Sequence, residues 1–301
     1  MSMLRVAATQ MACSWDLPAN LDRAESLIRE AASGGARVIL IQELFETPYF
    51  CIEQDAKHFD LATTLQQNQS LKRFQALAEE LDVVLPFSWF ERANRAFYNS
   101  LAMVDAGGEI LGVYRKTHIP NGPGYQEKNY FNPGDTGFKV WDTRYGKIGA
   151  GICWDQWFPE AARSMALMGA ELLLYPTAIG SEPPPAISLD SSGHWQRTMQ
   201  GHAAANMVPV IASNRIGTEH ATQDATYELT FYGHSFIADH TGEIVAQADN
   251  HSESVLLHEF DMEMIRSYRD AWGIYRDRRP DLYQTISTLD GKLEPRIIHQ
   301  D

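Results

Sequence analysis

Between the helix-stopping pair Gly34-Gly35 and the polar pair Gln42-Glu43, the chain carries a near-continuous apolar run, Val38 to Ile41. A strand with one wet face alternates polar and apolar residues; an unbroken run belongs to a strand covered on both sides. That requirement constrains the fold more than any other feature, because helices or a second sheet must lie against each face. The helices are present. Pro18 opens an amphipathic segment in which Leu21, Ala24, Leu27, Ile28 and Ala31 recur at helical spacing. Gly34 and Gly35 then end it.

The same grammar repeats along the chain. A helix near Leu71 to Leu81 precedes a strand at Val83 to Phe90. A helix from Pro159 to Met168 precedes Glu171 to Tyr175, and one over Ser192 to Asn206 precedes Val208 to Ser213. Between them lie two hairpins, one around Asp105-Ala106-Gly107-Gly108 and one around Arg144-Tyr145-Gly146. Strands near Gly233 to Ala238 and Ile244 to Gln247 surround Asp239-His240-Thr241-Gly242. Helix–strand units mixed with hairpins predict an α/β chain with mixed sheets. No linker, repeat or low-complexity block divides the 301 residues, so one domain is expected over 1–301, with its core at about 4–264. Residues 265–301 turn polar and aromatic (Tyr268, Trp272, Tyr275, Tyr283) and read as a C-terminal arm at a subunit interface of a homo-oligomer.

Composition removes several functions. The net charge of -14 repels phosphate backbones, which argues against nucleic-acid binding. No stretch approaches the roughly 20 apolar residues of a membrane span, and the N-terminus lacks signal-peptide character, so a cytoplasmic address is expected. Three cysteines without paired spacing read as free thiols, not as a disulfide framework or a thiolate metal site.

Three polar residues stand where apolar strands end: Glu43 after VILIQ, Lys116 after ILGVYR and Cys153 after KIGAGI. In open α/β sheets the carboxyl ends of strands are where catalytic side chains gather. Each residue alone has an ordinary reading, as a cap, a solvated charge or a small core residue. Together they form a chemically sufficient set. A thiol needs a base to attack, a carboxylate can take its proton and return one to the leaving nitrogen, and an ammonium can stabilise the oxyanion. A backbone N–H at Trp154 or its neighbour would assist. No metal or cofactor is needed.

The segments IQELFETPY, YRKTHIP and GICWDQWFPE, with EKNYFNPGD around Glu127, resemble the motifs of the nitrilase superfamily of carbon-nitrogen hydrolases. The resemblance runs from about Leu4 to Met264. It implies a four-layer α-β-β-α sandwich with two mixed sheets, Cys153 as nucleophile, Glu43 as base, Lys116 as oxyanion stabiliser and Glu127 as a supporting carboxylate. Within the superfamily, PTAIGSEP, HWQRTMQGHAAANMVPVIASNRIG and FYGHSFIAD resemble the branch that cleaves N-carbamoylputrescine to putrescine, carbon dioxide and ammonia. The implied substrate is a small cationic carbamoyl-amine. Glu182 is then the candidate carboxylate for its ammonium, with Trp154 and Tyr49 as further substrate-binding residues. A carbamoyl amino-acid or β-ureidopropionate hydrolase would instead need an arginine, for which Arg197 and Arg215 are the candidates. A Cys–His pair, with His118 nearest the site, and a non-catalytic scaffold are the other readings.

Overall fold

The computed structural model describes residues 3–181 and 190–292. Its strands are β1 (Met3–Gln10), β2 (Val38–Leu40), β3 (Leu85–Ala93), β4 (Ala96–Val104), β5 (Ile110–Arg115), β6 (Val140–Thr143) and β7 (Gly146–Ala150), then β8 (Leu172–Pro176), β9 (Val210–Ser213), β10 (Thr218–His220), β11 (Glu228–Thr230), β12 (Phe236–Ala238), β13 (Ile244–Gln247) and β14 (Ser254–Asp261). The α-helices are α1 (Leu17–Ser33), α2 (Gln69–Leu81), α3 (Pro159–Leu167), α4 (Ser192–Asn206) and α5 (Met262–Trp272).

Two mixed layers of strands result. One has the order β14-β1-β2 and is continued by β3-β4-β5 through a parallel bridge between Val38 and Val84. The other has the order β13-β12-β9-β8-β7-β6. In each, a parallel centre (β1–β2, β7–β8–β9) is flanked by antiparallel pairs. A small ribbon, β10–β11, stands apart.

The inner faces meet. Val6, Ala8, Val38, Leu40, Leu101 and Met103 of the first layer form one buried cluster with Ile148, Ala150, Leu172, Leu174, Ile211 and Ile237 of the second. Fully burying each Leu or Ile contributes about 1.5–3 kcal/mol, so this seam is a large part of what holds the layers together. On the outer face of the first layer, Ile39, Ile41, Phe87 and Trp89 pack against α1 and α2 through Leu27, Ile28, Phe74 and Leu77. On the outer face of the second, Leu173, Val210 and Phe236 pack against Ala162 and Met165 of α3 and Trp195 and Met199 of α4. This is the four-layer α-β-β-α sandwich.

The helix read from Pro18 begins one residue earlier, at Leu17, and is capped by the Asp16 side chain accepting from the Ala19 N–H. Its buried face contains all five apolar positions named from spacing. Two elements depart from the sequence expectation. β14 pairs with β1 over eight residues although SVLLHEFD has no continuous apolar run, because its outer positions stay partly exposed. The helix α5 runs through the expected arm boundary at 264, capped by Asp261 and anchored by buried Met262 and Ile265. No helix among the described residues is long and apolar enough to cross a membrane.

Candidate active site

Glu43, Lys116 and Cys153 lie on the segments that follow β2, β5 and β7, and Glu127 on a short 3-10 turn after the Lys116 loop. The sandwich draws these strand ends together. The Lys116 ammonium is fully buried and donates to Glu43 Oε1 at 2.8 Å and to Glu127 Oε1 and Oε2 at 2.8 and 2.7 Å. Burial by itself would pull the lysine down, but the Glu127 and Glu43 carboxylates outweigh it and hold its pKa well above the usual lysine range. Lys116 is therefore a fixed cation at neutral pH. Burial pushes Glu127 up to about 7, against the opposing pull of Lys116 and of the Tyr49 hydroxyl.

Cys153 occupies the turn between β7 and a 3-10 helix at Cys153–Trp157, with φ of 41°. That left-handed conformation costs a non-glycine residue on the order of 1–3 kcal/mol and recurs where a side chain must be aimed. Its Sγ is 3.8 Å from the carbonyl oxygen of Ala178, two residues past the end of β8. Burial raises the thiol pKa well above its usual value; Glu43 raises it further and Lys116 opposes. The resting sulfur is thus a thiol and requires a base.

The base position is available. Glu43 Oε1 accepts from Lys116 and, at 2.5 Å, from the Asn99 Nδ2 amide, whereas Oε2 is buried without a hydrogen-bond partner among the described residues. A buried carboxylate oxygen left free is costly unless something reaches it. The thiol proton of Cys153, or a water in a later step, is the group it suits.

Several contributors escaped the sequence. Asp155, two residues past the cysteine, is buried and ties the Lys116 and Cys153 loops together. Its Oδ1 accepts from the His118 N–H (3.0 Å) and is 2.7 Å from His118 Nδ1, while Oδ2 accepts from the Tyr114 hydroxyl (2.7 Å) and the Ile152 N–H (2.9 Å). His118 also stacks on Phe158, with ring centroids 3.6 Å apart. Its place is to brace the Lys116 and Cys153 loops against each other. Asn99 gave no signal at all, being one polar residue inside a strand.

The sulfur opens into a cavity of about 390 Å³ lined by Tyr125, Trp154, Trp157, Ile179 and His194 among others. Trp154 is on this wall, as expected of a substrate contact. Tyr49 is not: it stands behind the charged cluster, its hydroxyl donating to Glu127 Oε1 at 2.6 Å. Glu182 lies outside the described residues. Neither candidate arginine lines the cavity. Arg197 borders a separate hollow of about 850 Å³ with Arg163 and Tyr283, and Arg215 is fully buried and committed to backbone carbonyls. A further group, Glu53, Asp55 and His58, has ligand atoms within 4.8 Å of one another. The Glu53 carboxylate accepts from the Thr222 and Gln223 N–H groups, Asp55 pairs with Lys57, and His58 Nε2 is 3.1 Å from Glu53 Oε1.

The carbon-nitrogen hydrolase family model matches residues 5–270, and the chain belongs to that family. It is 59% identical over 289 residues to the N-carbamoylputrescine amidase of Arabidopsis thaliana, covering 96% of each chain. It is also 55% identical to a citrullinase of Francisella tularensis, covering 95% of this chain and 99% of the relative. In three dimensions it resembles the carbon-nitrogen hydrolase of Helicobacter pylori G27, with a TM-score of 0.89 and 38% identity over 96% of this chain and 99% of that one.

Proposed function

We propose that this protein hydrolyses N-carbamoylputrescine through a carbamoyl-thioester on Cys153. The observation that carries the chemistry is the unpartnered Glu43 Oε2 beside a thiol that burial keeps protonated. In this reading the thiol proton passes to Glu43 as sulfur bonds to the ureido carbon. The oxyanion that forms is met by the Lys116 ammonium and by backbone N–H groups at the Cys153 turn. Glu43 then returns the proton to the departing amine as the carbon–nitrogen bond breaks, releasing putrescine. A water gives its proton to Glu43 and attacks the thioester; the sulfur regains a proton and carbamate decomposes to carbon dioxide and ammonia. Glu127 keeps Lys116 aimed throughout.

The 59% identity to a named N-carbamoylputrescine amidase supports the choice of substrate. So does the pocket wall: Trp154, Trp157 and Tyr125 line it, and aromatic rings attract an alkylammonium tail by about 0.5–2 kcal/mol. Glu182, outside the described residues, is the proposed carboxylate partner. The second reading, a ureido amino acid such as citrulline, is favoured by the 55% identity to a citrullinase. Its carboxylate would need a cation, and among the described lining residues there is no arginine or lysine. A steady-state panel of N-carbamoylputrescine, citrulline, N-carbamoyl-β-alanine and a simple nitrile tests the choice. An uncompensated charge in the tail pocket is expected to cost at least about tenfold, so kcat/KM should be that much higher for N-carbamoylputrescine. Equal or better turnover of citrulline would transfer the assignment to it.

A cytoplasmic location fits the free thiols Cys13, Cys51 and Cys153. A role in polyamine biosynthesis follows from the substrate. We also place residues 265–292 at a contact between copies in a homo-oligomer, since Trp272, Leu282, Ile286 and Leu289 are left largely exposed on a single chain.

A further inference from the structure

Arg215 and Glu219 are charged, lie in the interior behind the cluster, and contact no part of the pocket. Arg215 follows β9, and its guanidinium is spread over one stretch of backbone. Nη2 donates to the Glu43 carbonyl at 2.7 Å and to the Leu44 carbonyl at 3.1 Å, and Nη1 donates to the Thr47 carbonyl at 3.3 Å. Leu44 is held at a φ of 49°, so the chain directly after Glu43 is strained and needs external support. Nη1 also donates to Glu219 Oε1 at 2.8 Å, and the same carboxylate accepts the Tyr49 N–H through Oε2 at 2.5 Å. Tyr49 in turn holds Glu127. One arm of the ion pair therefore ends on Glu43 and the other on Glu127, the two carboxylates that grip Lys116.

We propose that the Arg215–Glu219 pair is a positioning device that sets the separation and aim of Glu43 and Glu127 together, and so of Lys116 and the free Glu43 oxygen. The proposal rests on Glu43 and Cys153 being base and nucleophile. The alternative is a pair that merely fills the interior. A buried ion pair is weak evidence for stability, since apolar residues of similar volume often serve as well or better, whereas a planar fork can fix several carbonyls at once. Charge matters too. The titratable groups facing Arg215 are Glu219, Cys13, Glu43 and Cys51, and its positive charge opposes the upward push of burial on Glu219 and on the two thiols.

The test is the rate of Cys153 alkylation by iodoacetamide against pH, mapped by peptide mass spectrometry to separate it from Cys13 and Cys51, with unfolding midpoints recorded in parallel. The alkylation rate needs no substrate assignment. Arg215→Lys keeps the charge but loses the fork, and Glu219→Gln keeps the shape but weakens both arms. Each is expected to slow alkylation and kcat by about tenfold or more with KM little changed, because a misplacement of about 1 Å costs up to 10²-fold. Neither should lose the fold. Arg215→Met, which removes the fork and the charge together, should slow alkylation at least as much. Folded Lys and Gln variants alkylated within about twofold of the wild type at every pH would overturn the proposal, even if Arg215→Met fails to fold. A wild-type Cys153 that does not react would instead strike the reading of the site beneath it.

Discussion

Glu43→Gln should lower kcat by about 10²–10⁴-fold while changing KM little, because the variant keeps the volume and loses only proton transfer. The direction follows from the resting sulfur. Burial, added to by Glu43 itself, holds the Cys153 thiol well above its usual pKa, and the opposing pull of Lys116 does not reverse this. Attack therefore depends on a base that removes the proton as the carbon–sulfur bond forms. Oε2 of Glu43 is the free oxygen for that proton, and an amide cannot take it. The other half of the side chain is a hydrogen-bond acceptor for Lys116 and Asn99, a role the Gln carbonyl can keep. Iodoacetamide alkylation of Cys153 should slow in parallel with turnover. A variant retaining more than a tenth of wild-type kcat would show that another group activates the sulfur.

Lys116→Met is expected to be the most damaging change to stability. It leaves Glu43 and Glu127 buried and facing a vanished cation, and removal of one partner from a buried ion pair costs about 3–5 kcal/mol. The loss should depend on pH. Burial already pushes Glu127 up to about 7 in the intact protein, and Lys116 is the main influence holding it down. Without it the native state keeps a proton that the unfolded chain gives up, so the native state binds more protons and stability falls as pH rises through the folded value. Unfolding by urea should then show a larger deficit at about pH 8 than at about pH 6. A deficit independent of pH would mean that the carboxylates find another cation. Turnover should be lost at either pH, since the oxyanion loses its charged partner.

The outline of both results was visible in the sequence, and the reason is physical. Polar residues directly after apolar strands are exposed to the line of strand ends, and Glu43, Lys116 and Cys153 carry this signal in one dimension. The helices that cover the layers were legible for a similar cause: Leu21, Ala24, Leu27, Ile28 and Ala31 repeat at 3.6 residues and all five are buried. What the sequence withheld were contacts between segments distant in the chain. Asn99 meets Glu43 across 56 residues and Arg215 meets the Glu43 carbonyl across 172, and no local pattern encodes either meeting. Arg215 and Asp155 do carry a weak signal, since each lies within a few residues of a strand end beside a motif. Tyr49, read from the sequence as a substrate-binding residue, is not among the residues lining the pocket, and its hydroxyl donates to Glu127. β14 was hidden because partly exposed alternate positions blur a strand's apolar run, and pairing with β1 supplies what the run lacks.

Everything turns on a covalent bond between the substrate's carbonyl carbon and one sulfur atom. Intact-mass analysis of protein quenched during turnover of N-carbamoylputrescine, followed by peptide mapping, reads that bond directly. A single added carbamoyl group on the Cys153 peptide, absent from Cys153→Ala, is the expected result. Continued hydrolysis by Cys153→Ala, with no adduct on the wild type, would contradict it.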